Sequence, residues 1–205
     1  MDLEILKKLI ELLDGYRVYY FGDPDSLDPY VRSGMLGREI MLEWRKIYKT
    51  ILKMTKSLRG IPKLKKYIIL QSFLRVLTIS INLMVVILFL ITIFMRIWST
   101  YLFAAITVLV ITGVSSLAAS WIFGRYSAME IQRFFDEHEK KHKFKREFFK
   151  SFNQKLINSL AVYLKSSKDN PSKYKMYLFN TDYKKIKVLK KSLFGRKFEV
   201  IVNIE

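Results

Sequence analysis

Two histidines, His138 and His142, stand four apart in the run His138-Glu139-Lys140-Lys141-His142, and the chain has no others. On an α-helix that spacing brings both imidazoles to one face. There they can grip a zinc ion while the glutamate acts as general base toward a metal-bound water. The surrounding residues oppose that chemistry. Lys140 and Lys141 place two cations between the ligands, Lys143, Lys145 and Arg146 extend the positive charge, and a third ligand would have to be a carboxylate such as Glu147 or Asp169, neither of them in a second motif. His138 and His142 also fall on the line of Ile131, Phe135 and Phe149 at about 100° per residue, which points them into a packing seam. Paired imidazoles in such a seam titrate near neutral pH. They are the only metal candidates. No cofactor and no catalytic residue is expected, zinc being the single ion the pattern could take.

Some membrane-embedded metalloproteases carry an H-E-x-x-H run shortly after a transmembrane segment, and the placement of residues 138–142 resembles theirs. The resemblance covers five residues and implies zinc-dependent proteolysis with Glu139 as base. It departs from that family at Lys140 and Lys141, where uncharged residues are usual. The remaining chemistry is sparse. Asp23, Asp25 and Asp28 alternate like calcium ligands, but Pro24 interrupts them and the glycine and closing glutamate of an EF-hand are missing, so they read as solvated loop acids. Gly34-Met35-Leu36-Gly37-Arg38 lacks the lysine and hydroxyl of a phosphate-binding loop. The absence of cysteine removes disulfides, thiolate ligands and thiol nucleophiles. Lysines mix with Tyr and Phe in the last segment without an RNA-recognition pattern, so nucleic acid is not the expected partner.

The elements that must position these residues are dominated by residues 67–124. About 20 apolar residues in a helix cross the hydrocarbon of a bilayer. Residues 76–95 carry no charge, and Arg75, just before them, has a stem long enough to snorkel to the headgroups. Residues 97–124 form a second uncharged run. A chain of this size has too little else to wrap two such helices in a soluble core. The short link around Arg96 makes them antiparallel neighbours, with Trp98 and Tyr101 in the interfacial aromatic belt. Lys53, Lys56, Arg59, Lys63, Lys65 and Lys66 precede the hairpin, Arg125 and Arg133 follow it, and no acidic residue lies between Glu43 and Glu130. The positive-inside rule therefore places both termini in the cytoplasm of a multi-pass plasma-membrane protein. Lys53, Lys56, Arg59, Lys63, Lys65, Lys66 and Arg125 are the expected contacts to anionic lipid headgroups. Thr112, Ser116, Ser120 and Gly124 recur every four residues as a small-residue packing stripe, and Thr78 and Asn82 are polar groups at depth, suited to a pore lining or to interhelical hydrogen bonds.

The fold class expected is an α-helical membrane protein: a two-helix transmembrane hairpin with long amphipathic cytoplasmic helices and a small α+β lobe containing a β-meander. Residues 1–66 form a cytoplasmic N-terminal region. It comprises an amphipathic helix ending near Gly15, a strand over 16–21, a turn-rich loop and a basic juxtamembrane helix over 34–58 with the stripe Ile40, Trp44, Ile47, Ile51, Met54 and Leu58. The start Met1-Asp2-Leu3-Glu4 is acidic, unlike a secretory signal. Residues 67–124 form the hairpin, 125–168 one long cytoplasmic helix with a coiled-coil seam, and 173–205 a strand region with runs at 174–179, 184–189 and 197–204. The strand over 16–21 is expected to join that sheet. With 205 residues and a net charge of +18, the chain reads as a membrane-attached scaffold or interaction module, not an enzyme. It is expected to form homo-oligomers, to bind anionic lipid headgroups and to meet a cytoplasmic protein partner. The alternative is a small homo-oligomeric two-span channel or membrane-perturbing effector, since the order of elements resembles, in layout, the two-span effector domains of prokaryotic conflict systems. The second alternative is the zinc metalloprotease.

Overall fold

The computed structural model describes residues 2–95, 100–191 and 196–204. It is mostly helical with one small sheet: α1 Leu3–Arg17, α2 Asp28–Arg32, α3 Arg38–Leu58, α4 Pro62–Met95, α5 Thr100–Glu137, α6 Glu139–Ser167, then β1 Met176–Leu178, β2 Ile186–Lys191 and β3 Phe198–Val202. Two compact units result, Met1–Ser57 with Phe135–Glu205, and Leu58–Phe134.

In the first unit, Asp2 starts α1 by accepting hydrogen bonds from the backbone of Glu4 at 3.0 Å and Ile5 at 3.1 Å, a cap that satisfies two otherwise orphaned donors. Leu6, Leu9, Ile10 and Leu13 then bury one face completely. They pack on α6, whose Phe149, Leu156, Ile157, Leu160 and Leu164 are equally buried. The stripe on α3 falls where its helical period requires, with Trp44, Ile47, Ile51 and Met54 sealed from solvent. The loop acids do more than meet water. Asp28 Oδ1 accepts from Trp44 Nε1 at 2.8 Å, and Asp25 Oδ1 accepts from the Tyr48 hydroxyl at 2.5 Å, so the loop and its short α2 are pinned to α3.

Three expectations for this unit need correction. Residues 16–21 are not a strand: α1 runs through Arg17, and the chain then folds back with Tyr19 at φ 59°. Aromatic packing takes these residues away from a ladder. Tyr19 stacks on Phe135 at 4.3 Å, and Tyr16 meets Phe21 edge-on at 5.1 Å while its hydroxyl donates to the Gly22 carbonyl at 2.9 Å. Gly15 is not a helix stop but a site of close approach, because a Cβ there would sit 2.8 Å from the Tyr20 carbonyl oxygen. Second, the sheet is not a meander. Its order is β1-β3-β2, with β3 antiparallel to both neighbours in the registers Met176↔Val200 and Val188↔Val200. The chain leaving β1 is held on α1 by Asp14, as described below, so it cannot turn back as a hairpin and β3 takes the place beside β1. Third, the helix expected over 125–168 is interrupted at His138, which has φ −106° and ψ 25°. Residues 136–143 contain no apolar side chain, so burial does not reinforce the helix there.

In the second unit α4 and α5 pack against each other antiparallel, Tyr67 of α4 meeting Phe123 and Tyr126 of α5 and Ile81 meeting Gly113. Arg96 and Trp98 lie outside the described residues; Tyr101 is exposed.

Candidate functional site: an apolar helix pair with a basic end

Both helices of the second unit are long and apolar enough to cross a membrane, over Lys63–Phe94 and Thr100–Glu137. A core helix of a soluble protein would be mostly buried. Here only 17 % and 11 % of the apolar windows are buried, and Ile79, Leu83, Phe94, Val108, Val114 and Leu117 face outward. Part of the polar set is turned the other way, with Thr78, Thr92 and Ser116 buried. Ser116 Oγ donates to the Leu74 carbonyl across the seam at 3.0 Å and lies 3.0 Å from Thr78 Oγ1, which donates within its own helix to the same carbonyl at 2.8 Å. Ser120 and Ser127 are buried on the same face. Gly113 lets Ile81 come within 3.3 Å of where a Cβ would stand, and Gly124 leaves room for the Gln71 amide. An apolar exterior around hydroxyl-lined helix contacts is the arrangement that lipid-exposed helices use.

The expected small-residue stripe is thus partly displaced. Ser116 and Ser120 are in the seam and Gly124 borders it, but Thr112 is exposed and bonds only to the Val108 carbonyl of its own helix. Steps of four residues drift by about 40° each, so three steps from Gly124 carry Thr112 about 120° off the face. Gly113 occupies the position instead. Of the two polar groups on α4, Thr78 is buried in the seam and Asn82 is exposed.

Arg59, Lys63, Lys65, Lys66 and Arg125 are all exposed in this unit; Lys53 and Lys56 are exposed on α3 in the other. At the same end of the helix pair, the Tyr67 ring lies 6.2 Å from Phe123 and 6.0 Å from Tyr126, and the Arg125 guanidinium sits over Trp121 at 5.6 Å. Tyr67, Trp121 and Tyr126 are not singled out by the sequence pattern, although each lies at or near the end of an uncharged run as belt residues do. No protein-family model, curated protein or solved structure matches this chain.

His138 stands before the first turn of α6 and is exposed, not turned into a seam; the side chains of residues 139–143, including His142, lie outside the description. Glu147 is exposed, and Asp169 accepts from Ser167 Oγ at 3.1 Å. Among the described residues no three His, Cys, Asp or Glu side chains converge.

The other concentration of polar groups is a closed clasp in the first unit. Asp14 is fully buried. It accepts from the Phe179 backbone, from Asn180 N at 3.3 Å and Nδ2 at 2.8 Å, and from the Tyr183 hydroxyl at 2.8 Å. Asn153 Nδ2 donates to the Ile10 carbonyl at 3.1 Å and to Tyr183 Oη at 3.0 Å. Burial pushes the Tyr183 phenol up, which keeps it a neutral donor. Beside it, Arg17 grips Asp182 through two 2.8 Å hydrogen bonds and holds that carboxyl well below the usual carboxylate range, with Lys150 adding to the effect. Asp14 is surrounded by donors from a distant stretch of the same chain. That arrangement holds α1 to the strand region instead of exposing a reactive carboxylate.

Proposed function

We infer that this chain is a two-span integral membrane protein of the plasma membrane, with both termini cytoplasmic. Its basic cytoplasmic unit serves as a membrane-attached interaction module, not as an enzyme, and it assembles as a homo-oligomer. The observation that carries this reading is the surface of the helix pair, whose large apolar side chains face out while Thr78, Thr92, Ser116, Ser120 and Ser127 are buried. Hydrocarbon is the solvent that tolerates this polarity. The orientation follows from Lys53, Lys56, Arg59, Lys63, Lys65, Lys66 and Arg125, all exposed and without an intervening acid. The second reading, a small homo-oligomeric channel or membrane-perturbing effector, draws support from Thr112, an exposed polar group that a second copy could meet, and from Asn82, exposed at the edge of the seam beside Gly113.

Because the chain has no cysteine, single substitutions report topology directly. Thr100→Cys should react with a membrane-impermeant maleimide in intact cells, and Ser172→Cys only after permeabilisation. Labelling of Ser172→Cys in intact cells refutes the orientation, and release of the chain by alkaline carbonate refutes the spans. Conductance in planar bilayers that changes in Asn82→Leu would favour the channel over the module.

A further inference from the structure

A groove of about 770 Å³ opens between α4 and α5 at their basic end. Its apolar lining includes Val114, Leu117 and Trp121, and its polar lining includes Arg75, Arg125 and Gln71. Gly124 is what leaves space for that amide, since a Cβ there would come within 2.6 Å of Gln71 Nε2. Among the described residues neither guanidinium has an acidic partner, and no acid occurs between Glu43 and Glu130 to supply one. Arg125 is instead laid over Trp121. Both arginines adjoin the apolar runs in sequence: Arg75 precedes the uncharged residues 76–95, and Arg125 follows the uncharged residues up to 124.

We propose that this groove binds one anionic phospholipid, its phosphate held by Arg75 and Arg125 and an acyl chain lying along Val114, Leu117 and Trp121. The inference rests on the membrane-spanning reading above and sharpens it from a diffuse basic collar to one built site. Two cations and an amide donor beside an apolar trough match a ligand that is anionic at one end and apolar at the other. A second copy of this chain would bring its own arginines and no acid to the same rim, so like charges would oppose it there.

The probe is the full chain in phosphatidylcholine vesicles containing a minor fraction of either brominated phosphatidylglycerol or brominated phosphatidylcholine. Trp121 emission is isolated as the difference between Trp98→Phe and Trp98→Phe/Trp121→Phe chains. The anionic lipid should quench Trp121 with a preference of about fivefold or more over the zwitterionic one. Arg75→Gln/Arg125→Gln should abolish the preference. Gly124→Leu, which fills the groove without altering charge, should abolish it too, whereas Lys63→Gln/Lys65→Gln/Lys66→Gln should retain it. Equal quenching by both lipids overturns the site. A preference that survives Arg75→Gln/Arg125→Gln and disappears with the three lysines does the same, in favour of the collar. Absence of quenching by either lipid, with Trp121 shielded by a cross-linkable second copy, also overturns it. A chain that fails to float with the vesicles overturns the membrane reading itself, and the lipid site with it.

Discussion

Replacing Asp14 by alanine should disconnect α1 from the strand region. The carboxylate is fully buried and accepts from Phe179 N, Asn180 N and Nδ2, and Tyr183 Oη. Alanine leaves the buried Tyr183 hydroxyl and the part-buried Phe179 and Asn180 donors without their acceptor, and each buried donor left without an acceptor costs about 1–3 kcal/mol. Relaxation of the Asn180 side chain toward solvent recovers part of this. A net loss of about 3–5 kcal/mol follows, a large share of the ~5–15 kcal/mol that holds a typical domain together. Asp14→Asn keeps the shape and one acceptor oxygen and should fall between alanine and wild type. Hydrogen exchange of the full chain in lipid nanodiscs reads the effect locally. Peptides covering 176–183 should exchange faster in Asp14→Ala by about two to three and a half orders of magnitude. Asp2→Ala, which removes only the cap of α1, should cost about 1 kcal/mol. If Asp14→Ala leaves exchange at 176–183 within the Asp2→Ala effect, the clasp is not what joins the two ends of the chain.

Further tests follow from other contacts. Gly15→Ala should destabilise the first unit by about 1–3 kcal/mol in thermal unfolding, because the new Cβ meets the Tyr20 carbonyl at 2.8 Å and backbone cannot swing aside; an unchanged midpoint would mean that the fold-back at residues 18–21 is looser than described. Asp182 stays ionised in the folded chain at pH values where the unfolded chain takes up a proton. Its contribution is therefore complete above about pH 4 and lost as pH falls below that. Asp182→Asn should flatten the acid limb of a stability–pH curve, modestly because the side chain is 46 % exposed. Thr78→Cys/Ser116→Cys should form an intrachain disulfide under mild oxidant in lipid, since the two hydroxyls lie 3.0 Å apart; exclusively interchain cross-links would place the seam between copies. Metal analysis of purified chain before and after chelation should show no zinc and no change in unfolding, whereas stoichiometric zinc lost with stability would restore His138 and His142 as ligands.

Periodic apolar residues made much of the helical architecture legible. Trp44, Ile47, Ile51 and Met54 recur at helical spacing because a helix can bury only one face, and the uncharged runs declare their length directly. What stayed hidden depends on partners distant in sequence. Asp14 looks like any polar residue near a helix end, and only the return of residues 179–183 makes it a buried acceptor. Tyr16, Tyr19 and Phe21 have strand-like composition, yet their rings pack on Phe149 and Phe135 of the later helices. His138 fell on the apolar line of an ideal uninterrupted helix, and that line lost its meaning once the unbroken polar stretch ended the helix. Thr112 shows the same lesson in miniature: spacing by four approximates a helix face over one or two turns and departs from it over three.

The strand order β1-β3-β2 carries a consequence for biosynthesis. The central strand is the last to leave the ribosome, and the acceptor that clasps the strand region belongs to the first helix, 165 to 169 residues earlier. During translation α1 must wait, its apolar face uncovered, while residues 58–134 are made and α6 follows. Loop closure over such a separation is slow compared with helix formation. A chain stopped before residue 198 lacks the strand to which both others pair, so its sheet cannot form. Closure of the sheet therefore signals that synthesis has passed β3, and a chain that has not reached it displays its leucine face to chaperones and proteases.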